Sequence, residues 1–322
     1  MQYTNLGKTG VRVSALCLGT MTFGAEADEQ TSSEIYATAR DAGINFFDCA
    51  NGYAGGASEQ ILGKLVHNHR DEVLVASKVY FPTGKGVNQR GLSRFHMTKA
   101  LDASLKRLNT DYLDVYYLHH FDSETDLFET LSTLNDFVRQ GKVLYIGISN
   151  FSAWQTMKAV AITQSRNWAP ISCVQPMYNL IKRQAESEIL PLAQSEGLGV
   201  FSYSPLAGGL LTGKYIDKAE PVDGRFDTNT MYQKRYEHQV NTQVVSSFND
   251  FCQQRKLDPV ATAISWVAAH DGITAPIIGA RNIAQLKPAL DAAKEIMTSE
   301  LRSEISALSL APALATDREE ER

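Results

Sequence analysis

The chain is poor in several signals, and each shortage removes a class of function. Only 4 of 322 residues are cysteine, at positions 17, 49, 173 and 252, and none forms a Cys-x-x-Cys pair. Three of them sit in or beside strand-like runs, which predicts buried free thiols in a reducing cytoplasm rather than a disulfide framework. Cys49 adjoins Asp48, the one place where a redox role could attach. No apolar stretch approaches the ~20 residues of a membrane span, and the opening Met1-Gln2-Tyr3-Thr4 is no signal peptide. The 7 histidines include no His-Glu-x-x-His. His67 and His69 stand off a common helix face, so no metal is expected. A net charge of −5 without a basic stripe argues against nucleic acid as a partner. Nothing in the composition fixes an oligomeric state.

What is present is alternation. Residues 3–14 read as a hairpin, with Val11 and Val13 alternating against polar neighbours and Gly7-Lys8-Thr9-Gly10 as the turn. The run 15–19 follows as a buried strand. Thr31-Ser32-Ser33-Glu34 resembles a capping box that opens a helix to about Ala42, ended by Gly43. Strand 45–47, a helix near 58–66 and strand 73–78 come next. Leu101, Leu105 and Leu108 have helical spacing before strand 113–118. Asp126 with Glu129, and Ser152 with Gln155, look like further capping patterns on either side of strand 143–148. Later strands are expected at 171–174, 198–202 and 275–278. Eight strand–helix units predict one closed (β/α)8 barrel, a TIM barrel with an N-terminal β-hairpin, spanning 1–322 with a frayed tail at 311–322. An open, doubly wound sheet would carry Gly-x-Gly-x-x-Gly after its first strand. Gly19-Thr20-Met21-Thr22-Phe23-Gly24 lacks the middle glycine.

Reactive groups of such barrels gather at the C-terminal ends of the strands. Here those ends carry Asp48, Lys78, His119, Ser149, Asn150, Gln175, Tyr203 and Arg281, and Tyr53 follows Asp48 by five residues. A free phenol titrates at about 10 and is a poor proton exchanger at neutral pH. A lysine ammonium beside it favours the phenolate, so Lys78 is expected to lower the Tyr53 pKa while Asp48 holds the ammonium in place. About 4 kcal/mol of attraction would bring the phenol near neutrality. Tyr53 then serves as general acid, with His119 orienting the substrate oxygen. His120 is the weaker candidate, because adjacent strand residues face opposite ways. Groups that protonate an oxygen, without a metal or nucleophile, suit carbonyl reduction by a hydride cofactor.

These residues also carry a resemblance. Leu18-Gly19-Thr20-Met21, Asn45-Phe46-Phe47-Asp48 with Tyr53, Ala76-Ser77-Lys78 and Leu118-His119 resemble the aldo-keto reductases. So do Gly147-Ile148-Ser149-Asn150-Phe151, Val174-Gln175-Pro176-Met177-Tyr178-Asn179, Tyr203-Ser204-Pro205-Leu206 and Ile278-Gly279-Ala280-Arg281. The phrasing is nearest to the branch of potassium-channel β-subunits and their bacterial enzyme relatives. The resemblance implies a tetrad of Asp48, Tyr53, Lys78 and His119, NADPH/NADP+ as cofactor, and a small carbonyl substrate. It implies that Ser149, Asn150 and Gln175 bind the nicotinamide carboxamide and that Tyr203 stacks on its ring. Gly19, Thr20, Met21, Ser204, Pro205, Leu206 and Gly279 fall at other cofactor-binding positions. Lys214 and Arg225 match pyrophosphate positions, and Arg281 and Gln285 match the 2′-phosphate set. The family commonly has a Glu and an Asn after Gln285 to hold adenine, where this chain has Pro288 and Ala289.

Three rival readings compete with this one. Gly208 to Lys214 fits Gly-x4-Gly-Lys, but Tyr215 stands where a magnesium site needs Ser or Thr. A glycoside hydrolase needs paired carboxylates, whereas strands four and seven end in His119 and Tyr203. The third rival is an NADPH-binding redox sensor of a channel with negligible turnover; the absence of a segment before the hairpin favours the free enzyme. Substrate choice is expected from the loops at 21–23, 80–95 and 204–238, with Phe81, Phe95 and Phe226 as an apolar wall.

Overall fold

The structure, a computed structural model, describes residues 1–216, 224, 230–236, 239–316 and 318, and for 239 and 240 the backbone only. β1 (Tyr3–Asn5) pairs antiparallel with β2 (Arg12–Ser14), forming the expected hairpin. It closes one end of a barrel. Leu6 and Val13 are fully buried, in one cluster with the strand residues Cys17, Phe46 and Phe201. Gly7 turns with φ +55°, and a Cβ there would lie 2.7 Å from the backbone of both Ser172 and Gly199. Only glycine lets the hairpin seat this closely.

Eight strands then follow, all parallel: β3 (Cys17–Gly19), β4 (Phe46–Asp48), β5 (Leu74–Val79), β6 (Leu113–Leu118), β7 (Val143–Ser149), β8 (Ile171–Gln175), β9 (Gly199–Ser202) and β10 (Ala275–Ile278). Each bonds its sequence neighbour, and β10 bonds both β9 and β3, so the sheet closes. Helices return the chain between strands: α1 (Glu29–Asp41), α2 (Ala57–Val66), α3 (Arg94–Leu108), α4 (Leu127–Arg139), α5 (Ala153–Ser165) and α6 (Ile189–Glu196). Further helices occupy Thr230–Tyr236, Gln239–Arg255, Pro259–Ala268, Ile283–Asp291 and Ser299–Ser306. The architecture is a (β/α)8 barrel with an N-terminal hairpin. Among the described residues no helix is long and apolar enough to cross a membrane.

Strand alternation decides what faces the barrel interior. Phe46, Ala76, Val115, Tyr117, Cys173 and Phe201 share the inner cluster, while Phe47, Val75, Tyr116 and Val174 pack outward against the helices. Asp48 and Lys78 lie two residues beyond the inward Phe46 and Ala76 and therefore also point inward. Tyr117 fits because Gly147 faces it: a Cβ there would lie 2.3 Å from the ring.

Local differences from the expected pattern have simple causes. α1 begins at Glu29, not at Thr31, because Asp28 comes first and accepts from the Thr31 N–H at 2.8 Å. Asp126 does cap α4, but Glu129 accepts from the Arg94 N–H at 2.9 Å instead of reaching back. The Ser152–Gln155 box at α5 makes both of its bonds. β4 starts one residue later than expected. Asn45 instead accepts from the Ser14 N–H at 2.8 Å and donates to the Arg12 carbonyl at 2.9 Å, tying the hairpin to the barrel. The expected tail is fastened at its start, since the Ser187 hydroxyl donates to the Ala313 carbonyl at 2.8 Å.

Candidate active site

Lys78 is the group on which the mouth of the barrel is built. It is fully buried, and its ammonium has three hydrogens to place. It donates to Asp48 Oδ2 at 2.5 Å, to the Cys49 carbonyl at 2.7 Å and to the Tyr53 hydroxyl at 3.3 Å. Gln175 Nε2 donates to the other Asp48 oxygen at 2.8 Å, so the carboxylate is fixed on both sides. Tyr53 arrives from the turn after β4, with its N–H on the Ala50 carbonyl and left-handed Ala54 and Gly55 behind it. His119 follows the end of β6 and meets the Tyr53 ring edge-on, centroids 6.1 Å apart. The four expected catalytic side chains are thus together.

The electrostatics correct one expectation. Tyr53 was expected to titrate below its ordinary value, yet burial pushes it up to about 12, against the opposing pull of the Lys78 charge. Removing a phenolate from water costs more than one ammonium at 3.3 Å returns. Burial also disfavours the charge on Lys78, but Asp48 and then Tyr53 outweigh it and raise its pKa. His119 is held well below the ordinary imidazole range by burial and then by Lys78, so at neutral pH it is uncharged. The resting site therefore holds a protonated phenol, an ammonium, a carboxylate and a neutral imidazole.

Above these groups lies a cavity of about 820 Å³. Asp48, Tyr53 and His119 reach it, while Lys78 sits beneath. Ser149, Asn150, Gln175 and Tyr203 form a linked shelf on its wall. The Tyr203 hydroxyl donates to Asn150 Oδ1 at 2.7 Å, Asn150 Nδ2 donates to the His119 carbonyl at 2.9 Å, and Ser149 Oγ donates to the Gln175 carbonyl at 2.9 Å. Gly19, Met21, Ser204, Pro205 and Leu206 line the same cavity, as do Lys214, Gly279, Arg281 and Gln285. Thr20 does not. It is fully buried, with its hydroxyl on the Asp48 carbonyl at 3.1 Å and near Ser58. Arg225 and Phe226 lie outside the described residues.

Other residues stand elsewhere than the strand and loop pattern places them. Phe95 is on α3 and does not line this cavity, whereas Phe81 does, 4.8 Å edge-on to His119. His120 lines it as well, because β6 has ended at Leu118 and strand alternation no longer applies. Tyr232 and Arg235, on the helix Thr230–Tyr236, complete part of the wall. Their signal was the Tyr232–Tyr236 spacing at helical period inside a long loop. Buried Asn179 anchors that region, donating to the Ser204 carbonyl at 2.9 Å and to the Tyr236 hydroxyl at 3.2 Å. The glycine run proves to be wall too, since Gly208 and Gly209 take φ +70° and +96° and bring bare backbone to the cavity. Cys49 is buried and donor-matched with Ser58 Oγ at 3.2 Å, and burial keeps its thiol protonated up to about 12.

Residues 15–309 match the sequence model of the aldo/keto reductase family. A Bacillus subtilis (strain 168) protein named uncharacterized oxidoreductase YrpG is 40% identical, covering 94% of each chain. A probable voltage-gated potassium channel subunit beta of Oryza sativa subsp. japonica is 36% identical over 96% of each. An L-glyceraldehyde 3-phosphate reductase of Escherichia coli (strain K12) is 34% identical over 93% of this chain and 89% of its own.

Proposed function

The chain belongs to the aldo/keto reductase family, and we propose that it reduces aldehydes or ketones to alcohols with NADPH, Tyr53 acting as general acid. One observation carries the proposal: a buried ammonium, fixed by Asp48 and the Cys49 carbonyl, spends its third hydrogen on the Tyr53 phenol at the floor of a large cavity. A raised phenol pKa keeps the acid loaded with its proton at neutral pH. As the proton leaves, negative charge grows on the phenol oxygen, and the ammonium is already in place to stabilise it. That is differential stabilisation, absent from the neutral ground state. His119, uncharged, can donate one N–H to the carbonyl oxygen and so set its position beside Tyr53.

The cavity suits a dinucleotide. Its volume falls in the range of ligand pockets, it offers an amide and hydroxyl shelf, and it carries bare glycine backbone near Lys214. Ser149, Asn150 and Gln175 would hold the carboxamide, and Tyr203 would lie against the ring. Gly208, Gly209 and Lys214, with Arg225, would hold the pyrophosphate, and Arg281 and Gln285 the 2′-phosphate. When bound, the reduced nicotinamide supplies hydride to the carbonyl carbon. Phe81, His119 and Met21 would shape the substrate side of the wall.

A second reading, an NADPH-binding regulatory subunit, draws on the 36% identity to a protein named as a channel β subunit. Turnover separates the two. The purified chain, mixed with NADPH and a panel of simple aldehydes, is expected to consume many equivalents of NADPH. Consumption that stops at one equivalent per chain would favour the regulatory reading.

A further inference from the structure

Among the described residues, the barrel-mouth cavity is lined by one acid, Asp48, and Lys78 and Gln175 already take both of its oxygens. The same lining holds Lys214, Arg281 and Arg235. The proposed cofactor accounts for the first two of these cations. Arg235 is left over.

The helix that carries it, Thr230–Tyr236, is seated on buried groups. Tyr232 and Tyr236 are both buried. The Tyr236 hydroxyl accepts from Asn179 Nδ2 at 3.2 Å and donates to Met177 Sδ at 3.6 Å. Tyr232 closes on Gly208, where a Cβ would lie 2.6 Å from its ring. On this base the half-buried Arg235 places its guanidinium 5.2 Å from the Tyr232 ring centroid and donates to Met231 Sδ at 3.7 Å. A thioether is a weak acceptor. No carboxylate pairs with Arg235 among the described residues.

Arg235 lies towards the reacting end of the cavity. Its charge opposes the upward push of burial on the Tyr203 phenol. The Tyr203 hydroxyl in turn donates to Asn150, which holds the His119 carbonyl. A guanidinium can grip a carboxylate through two parallel N–H bonds. A single cation among Tyr232 and Met231 suits a monoanion better than a compact dianion such as phosphate.

We infer that Arg235 sets substrate choice: the preferred substrates are aldehydes with a carboxylate remote from the carbonyl. Arg235 holds that carboxylate while Tyr53 and His119 hold the carbonyl oxygen. The assignment rests on the reductase reading of this cavity, and its test keeps the two apart.

The probes are 4-carboxybenzaldehyde, its uncharged methyl ester, and 4-(hydroxymethyl)benzoate, the alcohol that reduction of the acid would yield. Arg235→Met strands no acid among the described residues. It should raise the KM of the acid by about tenfold or more relative to that of the ester, as expected for one lost charge-assisted contact. Arg235→Lys should recover part of that ratio. Calorimetric titration of 4-(hydroxymethyl)benzoate into the full chain with NADP+ needs no turnover, and there Arg235→Met should bind about tenfold or more weakly. NADPH affinity of the same variant should fall less than benzoate affinity. An unchanged KM ratio or an unchanged benzoate affinity in Arg235→Met would overturn the inference. So would an NADPH loss as large as the benzoate loss, which would assign Arg235 to the cofactor. If neither aldehyde consumes NADPH while benzoate binding still depends on Arg235, the reductase reading fails and the carboxylate site stands.

Discussion

Ser77 and Lys78 are neighbours on β5, and each lies against a buried carboxylate, yet only one of the two clusters reaches the barrel-mouth cavity. On the outer face, Ser77 Oγ donates to Glu59 Oε1 at 2.5 Å while Arg107 takes the other Glu59 oxygen at 2.6 Å. That cluster clasps α2, β5 and α3 to one another. On the inner face, Asp48 is equally saturated by Lys78 and Gln175. The difference is the third hydrogen of Lys78, which goes to a phenol that lines a cavity. Burial and charge pairing alone therefore do not mark a reactive site. Contact with a space where a substrate can sit does.

Substitutions at the two clusters should separate stability from chemistry. Lys78→Met should do both kinds of damage: turnover down by ~10²–10⁴, and stability down by about 3–5 kcal/mol because Asp48 is left buried and unpaired. Steady-state rates beside denaturant melts read the two effects. Glu59→Ala should cost about 3 kcal/mol of stability by stranding Arg107 and Ser77. Its turnover per folded chain should stay within about twofold; a large rate loss would make the outer cluster part of the chemistry and erase the contrast.

Weaker effects sharpen the picture of the cavity wall. Arg281→Met should weaken NADPH binding by about tenfold or more while sparing NADH, as expected for one lost charge-assisted bond. Equal losses for both cofactors would move the 2′-phosphate site elsewhere.

A gentler effect involves pH. Burial holds Tyr36, Tyr53 and Cys49 at about 12, above ordinary values of 10.0 for phenols and 9.0 for thiols. Above pH 9.0 the unfolded chain sheds protons that the folded chain keeps. The stability these groups contribute is thus complete below that pH and is lost progressively as pH rises towards about 12. Thermal melts should be level on the neutral side and fall on the alkaline side. A Tm that climbs with alkalinity would contradict the burial of these groups.

Much of this is legible in the sequence. The barrel followed from the count of strand–helix units, and the inward aim of Asp48 and Lys78 from the period of two that begins at Phe46 and Ala76. The shelf of Ser149, Asn150, Gln175 and Tyr203 followed from strand ends. What sequence could not supply was the balance of opposing terms. Tyr53 beside Lys78 reads as a lowered pKa until the extent of burial is known, and burial is a property of the whole packed mouth. Positions just past a strand were also opaque: His120 escapes the alternation rule, and Thr20 turns away from the cavity to bond Asp48 and Ser58. Long loops hid most. Phe95 joined α3 and a different cavity, while Tyr232 and Arg235 joined the wall from a helix inside the seventh loop.

Tyr53→Phe removes one oxygen atom and leaves the ring that packs against the core. Cofactor titration and steady-state aldehyde reduction on the same preparation give the most direct reading of that atom's role. NADPH affinity should hold within about twofold while turnover drops by ~10²–10⁴. An undiminished turnover would mean that the proton comes from somewhere else.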